Sequence, residues 1–109
     1  PEDVFALVHG AGGLVSLAHP GVTRRDDMLD RWARGGLDAI EAFHSDHDDV
    51  AQARYLDAAS QLAVAASGGS DFHGDEPVAS RRGRRIVGGV TLPAERWEAL
   101  RAAHAARHA

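Results

Sequence analysis

Apolar residues recur along this chain in two periods, one helical and one extended, and the two take turns. Val4, Leu7, Val8 and Ala11 fall at helical spacing, so Pro1 to Ala11 is predicted as a helix that Gly12-Gly13 stops. Leu14 to Ala18 is a short apolar run, predicted as a buried strand ending at His19-Pro20-Gly21. Asp26 and Asp27 favour a helix start. Met28, Leu29, Trp32 and Ala33 give that helix its apolar face, and Gly35-Gly36 ends it. Leu37 to Phe43 is the second strand, and His44 to Asp49 is polar loop and helix entry. Ala51, Tyr55, Ala58, Ala59 and Leu62 lie at helical spacing, followed by a third strand over Ala63 to Ala66. Glu76 to Arg85 has no period and is predicted as loop. Ile86 to Leu92 holds a weak strand broken by Gly88-Gly89, and Pro93 opens a last helix with Trp97, Leu100 and His104 along one side.

Strands that alternate with helices predict an α/β fold, with about three to four parallel strands and crossover helices. The 109 residues suffice for one small domain. A net charge of −4 argues against broad binding to duplex DNA, though not against a local basic patch. With no cysteine, any metal must be held by His, Asp and Glu, and seven histidines keep such a site in view. No apolar run reaches the length of a membrane span and no signal peptide is visible, so a cytoplasmic location is the default expectation. The chain starts at Pro1 without Met and is expected to be a piece of something longer.

The polar candidates share one placement. His19 follows the first strand, Glu41 and His44 close the second, and Asp71 and His73 follow the third. All lie at carboxyl ends of predicted parallel strands, the edge where active sites of α/β proteins assemble. In an extended backbone, Asp71 and His73 would point to the same side. A carboxylate and an imidazole together make a plausible half of a divalent metal site. The competing reading has Asp71 as a cap, His73 as a surface residue and His-Pro-Gly as a plain turn. Asp46, Asp48 and Asp49 are read as favourable charges at a helix start. His44 and His47 fit a site or a loop equally well. Arg24 and Arg25, and the run Arg81, Arg82, Arg84 and Arg85, suit a phosphate because the guanidinium fork donates two bonds. His104 and His108, one helical turn apart, are read as an accidental pair.

The segments Leu17-Ala18-His19-Pro20-Gly21, Gly36-Leu37-Asp38-Ala39-Ile40-Glu41-Ala42-Phe43-His44 and Gly69-Ser70-Asp71-Phe72-His73-Gly74 together resemble the C-terminal half of a PHP (polymerase and histidinol phosphatase) domain. The resemblance implies a distorted seven-stranded β/α barrel holding two or three divalent metals, Mn, Fe or Zn. It implies His19, Asp71 and His73 as metal ligands, and His44 and His47 as catalytic side chains. Glu41, with Arg24 and Arg25, would bind substrate. The implied activity is hydrolysis of phosphate esters, of the nucleoside 3′,5′-bisphosphate or short-RNA type. The family's N-terminal His-x-Asp-x-His motif is absent, since the spacing of His44-Ser45-Asp46-His47 is wrong for it. The 109 residues are therefore expected to be a single fragment, inactive alone, whose partners are a phosphorylated small molecule or nucleotide and the missing half of the barrel or a second copy. A metal-dependent amide or ester hydrolase of amidohydrolase type, and a non-catalytic PHP module, stay open as alternatives.

Overall fold

The computed structural model describes residues 1–74, 79–80 and 83–109. Helix α1 (Glu2–Gly10) leads into strand β1 (Ser16–Leu17), the one-turn helix α2 (Pro20–Thr23), a 3-10 turn over Asp26–Met28, and helix α3 (Leu29–Arg34). Strand β2 (Ala39–His44), helix α4 (Asp49–Gln61) and strand β3 (Ala65–Gly69) follow. Strands β4 (Ala79–Ser80) and β5 (Gly83–Arg84) precede the last helix, α5 (Ala94–Arg107).

The expected parallel sheet is present with three strands in the order β1-β2-β3. Ser16 pairs with Ala39 on one side of β2, and Ala39 with Ala65 on the other. The central strand is the apolar one: Ala39, Ile40 and Ala42 are fully buried. Ile40 and Ala42 join Phe5, Leu29, Leu37, Tyr55 and Ala59 in one core, with α4 packed on β2 and α5 on β3. The register between β2 and β3 slips between Glu41 and Phe43. Gly68 sits against this irregularity, where a Cβ would come within 2.6 Å of Phe43 Cβ and 3.0 Å of its carbonyl oxygen. Strand β3 thus starts later than the apolar run suggests and continues into Gly68-Gly69, where the missing side chains let two backbones approach.

Several expectations give way. The buried face of α1 is set by Phe5, while Val4 is 57% and Leu7 76% exposed. Phe5 and His9 lie one turn apart on the same face, and His9 reaches the sheet through Asp38. The helix turns toward the polar partner as well as the apolar one. Residues 86–92 form no strand. Gly89 N–H donates to Ile86 O in a turn, and Ile86 and Val87 are exposed. Within 76–85, expected as loop, β4 and β5 form a two-stranded antiparallel pair. Arg81 and Arg82 lie outside the described residues. In α5, Trp97 is half-exposed, while the expected accidental pair His104 and His108 donates to the carbonyls of Gly12 and Gly13 at 2.9 and 3.0 Å.

Asp38, buried at the start of β2, joins these layers. Its carboxylate accepts from Val15 N–H at 2.8 Å, His9 Nε2 at 2.7 Å and Arg107 Nε at 2.6 Å. Burial by itself would raise its pKa; the three donors overrule that and hold the carboxyl below its ordinary value. A depressed folded pKa stabilises the fold fully above the unfolded value of about 4, and the effect fades as pH falls through the folded value. Asp38→Asn should cost about 3 kcal/mol, since it leaves the Arg107 guanidinium without its counter-charge. Urea denaturation at pH 7 checks the size. Repeating it from pH 5 down to pH 3 should show a steeper fall for the wild type than for the variant, and parallel curves would remove Asp38 from this role.

Candidate metal and phosphate site

The carboxyl edge of the sheet gathers four of the seven histidines, His19, His44, His47 and His73. His44 closes β2 fully buried and is the hub. Asp46 N–H donates to its Nδ1 at 2.9 Å, so its Nε2–H donates to Asp71 Oδ2 at 3.1 Å. The His19 ring stands edge-on to that of His44, with centroids 5.3 Å apart. His73 Nδ1 lies 3.4 Å from Asp71 Oδ1 and donates to the Asp71 carbonyl at 2.6 Å, which leaves its lone pair on Nε2. His19, His44, Asp71 and His73 thus form a continuous series.

The route to this arrangement differs from the extended backbone expected at Asp71. Asp71 has φ +58°, in the left-handed region, so the Asp-x-His side chains meet through a turn. His19 is also left-handed, with φ +28°, a conformation that costs a non-glycine residue about 1–3 kcal/mol. Two contacts hold that segment: His19 N–H donates to Glu41 Oε1 at 2.9 Å, and Gly21 N–H to His47 Nε2 at 3.0 Å.

His47 is fully buried, and its Nδ1–H donates to Ala42 O at 2.8 Å. Both of its ring nitrogens are thereby bound to backbone. Of the expected substrate residues, Glu41 faces the His19 amide and Arg25 is held by Asp27 at 3.1 Å. Arg24 lines a cleft of about 410 Å³ with Asp26, Asp46, His47, Arg54 and Tyr55. Asp48 fills the expected helix-start role, capping α4 at Ala51 N–H. Asp46 does more than that reading allowed. It pairs with Arg85, whose guanidinium also lies 3.7 Å from Asp71 Oδ2. The sequence marks Arg85 only as one of four nearby arginines, because its partners are far along the chain.

The donors suit a divalent metal in kind. Imidazole nitrogens and a carboxylate are the ligands such ions take, and His19 Nδ1 is buried with no hydrogen-bond partner. They do not complete a ligand set. Among the described residues no three His, Asp or Glu side chains are grouped to hold a metal ion. Nor is any helix among them long and apolar enough to cross a membrane.

Over 73 residues the chain is 40% identical to the phosphoribosyl 1,2-cyclic phosphate 1,2-diphosphodiesterase of Eggerthella lenta, a match covering 67% of this chain and 28% of that protein. It also resembles the crystal structure of a protein from Bifidobacterium adolescentis provisionally named a metal-dependent phosphoesterase. The TM-score is 0.72 at 29% identity, over 94% of this chain and 36% of the other. No family model matches the chain. The chain spans about a third of the length of these two proteins, both named for phosphoester chemistry.

Tyr55 borders the cleft and is the chain's one tyrosine. Burial, then the hydrogen bond to Asp26 at 2.7 Å, push its phenol up to about 12. A raised folded pKa means that the stabilisation is present below the unfolded value of about 10 and is lost as pH rises through the folded one. Ultraviolet titration of the phenolate should therefore show a midpoint near pH 12, lowered in Asp26→Ala. A wild-type midpoint at the ordinary value would mean that Tyr55 is neither buried nor bonded to Asp26.

Proposed function

We propose that this chain is the C-terminal half of a PHP-type domain in a metal-dependent phosphoesterase. The observation that carries the reading is the 40% identity to a cyclic-phosphate diesterase in a chain whose His19, His44, Asp71 and His73 share one sheet edge. The strand order β1-β2-β3, each crossover stepping to the next strand, supports a segment of a β/α barrel. The rest of the barrel would come from sequence corresponding to the uncovered part of the relatives.

In this reading His19, Asp71 and His73 hold divalent metal, with Mn, Fe or Zn all compatible with the donors. Bound metal would supply charge neutralisation at the phosphoryl group and an acidified water. His44, donating to Asp71, orients that carboxylate and stands beside the reacting phosphate. Arg24, on the cleft wall, contacts the phosphate-bearing substrate. Arg25, tied to Asp27, is the weaker candidate for that role. The substrate class is a phosphorylated ribose compound: a cyclic phosphodiester such as the Eggerthella lenta protein is named for, or a nucleotide or short RNA.

The full-length protein should hydrolyse bis(p-nitrophenyl) phosphate with added Mn²⁺ and lose that activity in EDTA. The 109 residues alone should turn over far below about 1 per second, a low enzyme rate. Asp71→Ala and His73→Ala in the full-length protein should lower kcat about a hundredfold or more, whereas His104→Ala should leave it within about twofold. Hydrolysis of amide or carboxylic ester substrates in place of phosphoesters would overturn the assignment.

A further inference from the structure

We propose that Glu41 and His47 are positioning residues, a two-point clamp on the amides of His19-Pro20-Gly21 that fixes the His19 imidazole at the sheet edge. The inference rests on the reading of His19 as a metal ligand and assigns neither clamp residue a part in the chemistry.

Strand β1 ends at Leu17, so residues 19–21 lie beyond the sheet ladder. They form the entrance to α2, with Pro20 as its first residue, where the leading N–H groups have no partners within the helix. Pro20 has no N–H to offer. The tripeptide therefore carries two backbone donors, and each is captured by a side chain: His19 N–H by Glu41 Oε1 at 2.9 Å and Gly21 N–H by His47 Nε2 at 3.0 Å. Both acceptors come from β2 and the loop just after it, so the clamp registers His19 directly against His44.

His47 is built for this task. Its Nδ1–H is spent on Ala42 O at 2.8 Å, which places the lone pair on Nε2, where Gly21 N–H meets it. Its ring is fully buried and stacks on Tyr55 with centroids 5.2 Å apart. The fit explains the glycine: a Cβ at position 21 would stand 2.7 and 2.8 Å from His47 Cδ2 and Nε2. Gly21 is needed because the ring presses on the backbone. With φ at +28°, His19 would relax to an ordinary conformation once either grip was released.

The test uses full-length protein, amide hydrogen exchange at His19 and Gly21, and Mn²⁺ affinity by calorimetry. Thermal unfolding of each variant identifies any that has lost its fold. His47→Gln puts a carbonyl acceptor near the place of Nε2; it should keep Gly21 protected and Mn²⁺ affinity within about threefold. His47→Asn keeps a donor for Ala42 O but loses the acceptor; it should expose the Gly21 amide and weaken Mn²⁺ about 10–100-fold, the range for a residue that orients a ligand. Glu41→Gln should follow the first pattern and Glu41→Ala the second, read at the His19 amide. If His47→Asn does not fold, Gly21→Ala supplies the same disruption from the other side and should weaken Mn²⁺ equally. Wild-type Mn²⁺ affinity in His47→Asn or Gly21→Ala would overturn the proposal. So would loss of turnover in both Gln variants with metal bound and the amides protected, because the two residues would then act chemically. A full-length wild type that neither binds Mn²⁺ nor cleaves phosphoesters would sink the functional reading instead. The exchange rates would still decide the clamp, and fast exchange of Gly21 in the wild type would end it.

Discussion

The carboxylate of Asp38, buried at the start of the central strand, ties α1, the segment before β1 and α5 to the sheet. A buried charge is costly unless it is paired and hydrogen-bonded. Asp38 meets that requirement by drawing one donor each from α1, from the segment before β1 and from the end of α5. Those three pieces are thereby placed relative to β2. The sheet then carries the placement forward over six residues to His44 at its other end. The polar contact at the base of the sheet and His44 at its top are therefore two ends of one strand.

At the top, the governing fact is a surplus of backbone donors and histidine nitrogens that must find acceptors. The sheet ladder stops at Leu17 on β1 but runs to His44 on β2, so the chain leaving β1 takes its partners from side chains. The histidines divide the work accordingly. His47 is committed to backbone on both nitrogens, His44 links a backbone amide to Asp71, and His19 keeps a buried Nδ1 unpartnered. Arg85 adds a positive charge between Asp46 and Asp71. In the proposed phosphoesterase reading, this division leaves some histidines as supports and others for a ligand. The similarity to proteins named for that chemistry comes from outside these contacts.

Much of this was legible in the residues themselves. The β/α alternation, the apolar run of β2 and the placement of polar residues after strands are local patterns, and local patterns report which faces are buried and where elements end. Asp48 at its helix start is likewise a matter of neighbours a few residues away. What the chain order could not convey is which partner each polar group meets. His9 and Asp38 are 29 residues apart, Arg107 and Asp38 are 69, and Arg85 and Asp46 are 39. The same limit hid the buried side of α1. Periodicity favours Val4 and Leu7, but a helix is turned by what it packs against, and Asp38 holds it through His9 with Phe5 inward. The sequence determined the main helices, the three parallel strands and the edge where His19, His44 and His73 would gather, because spacing along the chain sets these. Only the tertiary structure decided that His47 is bonded to backbone on both nitrogens while His19 keeps a buried Nδ1 without a hydrogen-bond partner. A histidine's role is set by what its two nitrogens touch, and those atoms are brought to it by packing.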